Sequence, residues 1–210
     1  MGRTLVSPPA AMPVSLAEAK AHAKVETVDD DALINALIAA ATAACESATG
    51  RALIHQTWRL HLDRWPSKVA AGSTGDEASI DSVVAAAAVP VTLPLPPLVV
   101  VNHVKTYDQA DIASVYPAAN YYVDIASEPG RLVPRATVPA PSPGRIANGI
   151  EIEFIAGYGL AGSDVPAALR QGILMLVAHL HEHRGDDADS AARGCGAQRL
   201  WQPFRIMALA

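Results

Sequence analysis

The spacing of apolar residues changes twice along the chain, and this change restricts the possible folds more than any other feature. From Leu33 the apolar residues recur every three to four positions, which is typical of an α-helix with one buried face. From Trp58 they alternate with polar residues, which is typical of a half-buried β-strand. After Pro166 the helical spacing returns and continues to Leu180. This order predicts an α+β protein in which a β-rich segment lies between helical regions.

Three main helices are predicted, and each has a recognisable start or end. Ser15 and Glu18 have the spacing of a capping box, which places a short first helix from about residue 15 to 24. Aspartates at positions 29–31 favour the N-terminus of a second helix, which Gly50 ends. Pro166 opens the third helix. The amides of a first helical turn have no partner within the helix, so proline, which has no backbone N–H, is tolerated there. Gly185 ends this helix.

A small antiparallel β-sheet is predicted between the second and third helices. Its first strand begins at Gln56, and further strands are expected at 99–107, 121–125, 131–133 and 150–155. The Ala-, Gly- and Ser-rich segment from Lys68 to Val89 is expected to be a mobile loop or a loosely held hairpin. We therefore predict a single domain, 1–210, with N-terminal helices at 14–50, a β-rich insertion at 56–156, a third helix at 164–185 and a C-terminal tail at 186–210.

Charge, cysteine content and hydropathy argue against several classes of protein. The net charge is −5 and no segment concentrates lysine and arginine, so tight DNA binding is not expected. Cys45 and Cys195 are far apart and have no Cys-x-x-Cys neighbour, which favours reduced thiols, with a disulfide as the minor alternative. The apolar segment 32–48 contains Asn35 and Glu46 and falls short of the ~20 residues of a membrane span. The N-terminus lacks the apolar core of a signal peptide.

One cluster of residues could bind a metal ion, His179-Leu180-His181-Glu182-His183. His179 and His183 are four positions apart, so a helix would present both on one face. A helical zinc protease would carry H-E-x-x-H, whereas Leu180 follows the first histidine here. Histidines near a helix C-terminus also interact favourably with the helix dipole. We expect no metal, no cofactor and no enzymatic activity, and keep a metal-dependent enzyme using His179 and His183 as the alternative.

The C-terminal segment combines aromatic, aliphatic and arginine side chains, a composition typical of residues that anchor protein interfaces. We expect this segment to dock on a partner protein. The alternative is that it folds back onto its own domain as a last strand or a short helix. The candidate docking residues are Arg199, Leu200, Trp201, Phe204, Arg205 and Ile206.

Short segments in a fixed order resemble the phage head-tail connector (adaptor) family. They are Ser15-Leu16-Ala17-Glu18-Ala19-Lys20, Asp31-Ala32-Leu33-Ile34, Thr49-Gly50-Arg51, Gln56-Thr57-Trp58, Pro96-Pro97-Leu98, Pro129-Gly130-Arg131-Leu132, Phe154-Ile155-Ala156-Gly157-Tyr158-Gly159 and Asp164-Val165-Pro166. Each segment alone is a cap, a turn or a helix start, and their order and spacing from Ser7 to Arg184 make the resemblance. The alanine-rich composition also resembles the connectors of alphaproteobacterial gene transfer agents, which are domesticated phage-like particles.

The resemblance implies a structural protein of the head-tail junction of a virion or phage-like particle, synthesised in the bacterial cytoplasm. It implies a helical core with a β-rich insertion, assembled as a ring of about twelve copies. Such a ring joins the portal protein to a tail-side stopper or tail terminator, and double-stranded DNA passes through its channel without specific binding. The resemblance also implies that the C-terminal segment grips the portal, and it suggests no membrane partner. An assembly factor that is absent from the finished particle is a further alternative.

Overall fold

The computed structural model of the chain describes residues 2–66, 89–135, 138 and 140–206. Over these residues the chain forms α-helices and β-strands, which confirms the predicted α+β class. The helices are α1 (Leu16–Ala23), α2 (Asp31–Thr49), α3 (Ala167–Glu182), α4 (Ala188–Gly194) and α5 (Ala197–Trp201). The strands are β1 (Gly2–Ser7), β2 (Gln56–Leu62), β3 (Val91–Thr92), β4 (Leu98–Tyr107), β5 (Ala113–Val115), β6 (Tyr121–Asp124), β7 (Arg131–Pro134) and β8 (Ile150–Ala156). The loop predicted from Lys68 lies outside the described residues, apart from Val89.

The helix ends carry the local interactions that the sequence predicts. The Ser15 hydroxyl accepts a hydrogen bond from the Glu18 amide at 3.2 Å, and the Glu18 carboxylate accepts one from the Ser15 amide at 2.8 Å. The capping box therefore forms at the start of α1. Gly50 follows α2 with a φ of 71°, the left-handed conformation that a helix C-terminus favours in glycine. The last helical residue of α3 is Glu182, three positions before Gly185.

The described chain divides into two compact units. The first consists of Met1–Val6, Thr57–Leu93 and Leu98–Ile155, and the second of Ser7–Gln56, Pro94–Pro97 and Ala156–Ala210. The first unit thus contains most of the strands, and the second contains all five α-helices of the described residues.

The strands form two sheets, where the sequence predicted one. The larger sheet has the order β1-β2-β8-β4-β5, and β4 and β5 are antiparallel with Lys105 opposite Val115. The smaller sheet has the order β3-β7-β6, and all its pairs are antiparallel. Strand β1 was not predicted, because every one of its residues is exposed and no apolar alternation marks it.

One face of the larger sheet carries a cluster of paired charges centred on Glu151, which is 5% exposed. Its carboxylate lies 3.2 Å from His103 Nε2, 3.1 Å from the Tyr107 hydroxyl, 3.3 Å from Arg59 Nε and 3.8 Å from Lys105 Nζ. Burial by itself raises the pKa of this carboxyl. The hydrogen bonds from His103 and Tyr107 and the two cationic side chains outweigh burial, so the pKa is lowered overall.

The core of the second unit lies between α2 and α3. Its buried side chains include Ile34, Ile38, Ala41 and Cys45 of α2, and Leu169, Ile173, Leu176 and Val177 of α3. The helical spacing that begins at Leu33 also places Leu37, Ala44 and Ala48 on one face of α2, but these four residues are only partly buried. The buried stripe is therefore narrower than the apolar pattern.

Helix α2 is also the one helix in the described parts of the chain that is long and apolar enough to cross a membrane, with a mean hydropathy of 1.4. Only the length and the composition of α2 meet the requirements of a membrane-spanning helix. The core helix of a globular protein passes the same test, and one face of α2 is buried against α3 in this way. Packing within the second unit therefore accounts for the apolar character of α2.

Candidate docking site

The C-terminal segment, which we define as residues 188–206, folds back onto its own unit as two short helices and a 3₁₀ turn. Both α4 and α5 contact α2 and α3. Asp187 caps α4, because its carboxylate accepts hydrogen bonds from the amides of Asp189 and Ser190, at 3.1 and 2.9 Å. These hydrogen bonds lower the pKa of Asp187. Gly196, with a φ of 87°, provides the left-handed residue before α5. The structure thus has the fold-back arrangement that the sequence left as an alternative.

Trp201 attaches this segment to the core of the second unit. Its side chain is 1% exposed, and its indole Nε1 donates a hydrogen bond to the Leu169 carbonyl at 3.2 Å. The indole lies so close to Gly172 of α3 that a Cβ atom at that position would overlap it. Trp201 is therefore a core residue of its own chain in this conformation, although the sequence placed it among the partner-facing residues.

Two further hydrogen bonds join the end of the segment to the end of α2. The Arg51 guanidinium donates from Nε to the Phe204 carbonyl at 2.6 Å. The Ile206 amide donates to the Thr49 carbonyl at 2.9 Å. The Thr49 carbonyl belongs to the last turn of α2, where helical geometry leaves carbonyls without a partner. The segment is thus attached at its middle by Trp201 and at its end by Phe204 and Ile206.

A cavity of about 730 Å³ lies beside this segment. It is bounded by the C-terminal turn of α2 and by α4, α5 and the residues that follow. Its lining residues are Ser47, Ala48, Thr49, Gly50, Asp189, Ala192, Arg193, Gln198, Arg199, Trp201, Gln202, Arg205 and Ile206. We call this the arginine cavity, because its charged side chains are three arginines and one aspartate.

The arginines of this cavity are available to a ligand. Arg193, Arg199 and Arg205 are all exposed. Arg193 donates a hydrogen bond to the Ser190 hydroxyl at 3.3 Å. Within the described residues, Arg199 and Arg205 have no ion pair and no side-chain hydrogen bond. The cavity therefore has an excess of two positive charges in a protein whose net charge is −5.

The structure separates the six predicted docking residues into two groups. Arg199, Trp201, Arg205 and Ile206 line the arginine cavity, whereas Leu200 and Phe204 are half-buried and pack against the helical core. Helix α4 brings Asp189 and Arg193 to the same cavity, and neither of these residues was predicted from the sequence. The signal in the sequence was Asp187, because aspartate favours the position that caps a helix N-terminus.

The histidines proposed as an alternative metal site have other partners. The rings of His179 and His183 stack with centroids 4.5 Å apart, and His179 Nε2 lies 2.9 Å from an Asp186 carboxylate oxygen. His181 instead lies 3.3 Å from Asp30. Across residues 2–66, 89–135, 138 and 140–206, no three His, Cys, Asp or Glu side chains are grouped so that they could hold a metal ion. Cys45 and Cys195 are both free thiols, as predicted.

Comparisons with known proteins identify the relatives of this chain. Residues 13–93 match the family of phage gp6-like head-tail connector proteins. No curated protein sequence matches the chain. A chain from the neck of an empty gene transfer agent particle, computed with C6 symmetry, has a TM-score of 0.77 and 25% identity, covering 100% of this chain and 98% of that one.

Two further structures give the same result. A chain from the neck of a native gene transfer agent particle, computed with C12 symmetry, has a TM-score of 0.73 and 26% identity. A chain from the virion of a native gene transfer agent particle has a TM-score of 0.74 and 23% identity. Each comparison covers 100% of this chain and 98% of the other.

These matches confirm the resemblance seen in the sequence. They also confirm the prediction of a structural protein and not an enzyme, since the matched family consists of connectors and the matched chains are parts of particle necks. The chain is therefore similar to the phage gp6-like head-tail connector family over residues 13–93, and its fold over the whole length is similar to that of chains from the necks of gene transfer agent particles.

Proposed function

We propose that this protein is the structural connector at the head-tail junction of a phage-like particle, where copies of it form a ring between the portal and the tail. The observation that carries the proposal is the full-length fold match to chains from the necks of gene transfer agent particles. The ring, its copy number of about twelve and its neighbours go beyond that match and belong to the proposal. The symmetries of the matched necks, C6 and C12, support a cyclic assembly.

The larger sheet offers a contact that could close such a ring. Strands β1 and β5 are its two outer strands, and every residue in both is exposed. An outer strand presents unpaired backbone N–H and C=O groups that readily pair with another strand. Pairing of β1 in one copy with β5 in the next would be a head-to-tail contact, and such contacts repeat around a closed ring.

The charge of the protein suits a channel through which DNA passes without being held. Aspartate and glutamate number 21 against 16 lysines and arginines. A strongly basic surface would displace counterions from the phosphates and retain the duplex. We therefore propose that double-stranded DNA passes through the ring without specific binding.

The C-terminal segment is the part of the chain that we propose docks on the portal, and the opposite side of the ring then faces a tail-side stopper or tail terminator. Arg199 and Arg205 are exposed, while Leu200, Phe204 and Ile206 are half-buried and keep part of their surface accessible. Trp201 supports this surface from inside the unit. The segment thus presents cationic side chains on a base that is fixed to the helical core.

Cryo-electron microscopy of particles from the source bacterium tests the proposal. We expect density for this chain as a ring between the portal and the tail. A protein that is present during assembly but missing from finished particles would be an assembly factor, and the connector proposal would then be wrong. Size-exclusion chromatography with light scattering of the purified chain mixed with the portal protein provides a second test, in which a stable complex is expected.

A further inference from the structure

We infer that the arginine cavity is a binding site for an acidic peptide segment of a partner protein. The inference rests on the proposed function, because the partner is taken to be the portal-side protein that the C-terminal segment meets. It adds the chemistry of the contact: the partner inserts a segment with neighbouring carboxylates into this chain. The C-terminal segment then receives a peptide of the partner, whereas its sequence suggested that it inserts its own side chains into the partner.

The size of the cavity fits a short peptide segment. About 730 Å³ lies within the range of 300–1,000 Å³ that is usual for sites that enclose a ligand. The lining combines charged and amide side chains with the apolar atoms of Ala48, Ala192 and Ile206. Sites of this kind hold the stem of a side chain on apolar atoms and orient its polar end through a few hydrogen bonds.

The charged groups of the cavity select for carboxylates. Each guanidinium can donate two parallel hydrogen bonds to one carboxylate, which is the strongest form of this contact. Clusters of arginine are a recurring way of recognising acidic peptide motifs. Gln198 and Gln202 add amide donors beside Arg199 and Arg205. Asp189 is the one carboxylate in the lining and leaves the positive excess in place.

The position of Trp201 indicates that the C-terminal segment receives a group of the partner and does not insert its own tryptophan into the partner. Interface anchors are usually tryptophan, tyrosine or arginine side chains that fill a pocket in the partner. Here the tryptophan fills a space in its own chain, against Gly172 and Leu169. Arg199 and Arg205 remain unpaired within the described residues. The groups that are left for a partner are therefore cationic and lie around a concave surface.

A peptide fits this site better than DNA does. Binding a duplex requires basic residues along several successive phosphates, and each neutralised phosphate contributes to the affinity. The basic residues here are gathered around one cavity, and the protein as a whole is acidic. An acidic peptide needs only this local cluster.

The test uses the full chain and fluorescein-labelled hexaglutamate as the probe, with binding followed by fluorescence anisotropy at low salt. The wild type should bind the probe, and the double variant Arg199→Ala/Arg205→Ala should bind it about tenfold or more weakly, because two bidentate contacts are lost. Arg64→Ala is the matched control, since Arg64 is an exposed arginine of the first unit. Both substituted sites are exposed, and circular dichroism checks that each variant folds.

The outcomes separate this inference from the proposed function. Two results overturn the inference: the wild type does not bind hexaglutamate, or Arg64→Ala loses as much affinity for hexaglutamate as the double variant does. In the first case the cavity does not attract carboxylates, and in the second the attraction is spread over the surface. Displacement of the probe by a 20-base-pair DNA duplex, or self-association of the chain that the double variant abolishes, would assign the cavity to another occupant and overturn it as well. The double variant Arg199→Lys/Arg205→Lys should bind the probe with intermediate affinity. Lysine keeps the positive charge but cannot donate two parallel hydrogen bonds to one carboxylate as arginine does.

Binding to the purified portal protein completes the test. We expect hexaglutamate to compete with the portal and the Arg199→Ala/Arg205→Ala variant to bind the portal weakly. If the portal binds the variant as well as it binds the wild type, the inference fails while the connector function stands. If the wild type does not bind the portal at all, the proposed function fails, and the hexaglutamate result still reports on the cavity.

Discussion

The indole of Trp201 occupies a space in the second unit that exists because position 172 of α3 is a glycine. Aromatic residues fill interiors and interfaces for the same reason, which is their large apolar area. The feature that decides between the two is Gly172, more than 25 positions earlier in the chain, because only glycine leaves room for the indole. No local pattern connects these two positions.

Replacing Gly172 with alanine should therefore destabilise the second unit. The added methyl group would overlap the Trp201 indole, and overpacking of a core costs about 1–3 kcal/mol. Urea unfolding measures the effect. Gly194→Ala is the matched control, since Gly194 is also helical and has nothing within 4 Å of the position of an added Cβ. Its stability should be unchanged or slightly raised, and an equal effect of both substitutions would contradict the packing argument.

The two thiols should differ in reactivity. Cys45 is fully buried, and burial raises the pKa of its thiol, so little thiolate is exposed to a reagent. Cys195 is half-buried. A thiol reagent such as Ellman's reagent should modify one cysteine in the native protein and two in denaturant. Two fast-reacting thiols in the native state would contradict the placement of Cys45.

The paired charges on the larger sheet connect three strands, since Arg59 lies on β2, Glu151 on β8 and His103 on β4. Such a cluster depends on ionisation, so the stability of the sheet should depend on pH.

The Glu151→Gln variant tests this dependence. The pKa of Glu151 is lowered in the folded state from its ordinary value of 4.5, so its stabilising contribution is present above that value and is lost as the pH falls through the folded pKa. The wild type should lose stability as the pH falls below 4.5, and the variant should lose less over the same range. At neutral pH the variant should be less stable by on the order of 1–3 kcal/mol, because cationic neighbours lose their partner. Glu182→Gln, which changes an exposed carboxylate on α3, should leave the pH profile unchanged.

The elements that could be predicted from sequence are those with a local signal. α1, α2 and α3 have caps or terminal glycine or proline, β2 and β8 alternate clearly, and β4 begins with an apolar run directly after Pro97. β1 could not be found because it is exposed throughout, and only its pairing with β2 makes it a strand. The division into two sheets also depends on long-range pairing, such as that of Val91 with Leu132. In the candidate site, residues on α5 and after it were found by composition, but α4 was missed because it is short and polar.

The two open edges of the larger sheet, β1 and β5, predict how copies of the protein associate. Val115 lies on β5 and is 63% exposed, so Val115→Lys would place a charge on the proposed contact with β1 of the next copy. Charges on an edge strand oppose pairing with another strand. We expect the variant to fold but to lose ring assembly, as measured by native mass spectrometry.

Ile146→Lys is the control for this experiment. Ile146 is 97% exposed in the same unit but lies outside the strands. The two variants introduce the same side chain, so only position distinguishes them. Rings that form equally well with Val115→Lys would show that β5 is not a contact between copies.

The position of the three tryptophans gives the molecule a separate optical signal for each of its compact units. Trp58 and Trp65 belong to the first unit, and Trp201 is the tryptophan of the second. A chain with phenylalanine at positions 58 and 65 would fluoresce from Trp201 alone, in an environment that is shielded from water until the C-terminal segment detaches from α3. Its emission maximum would then report, in real time and without a label, whether that segment stays in place when the connector is incorporated into a particle.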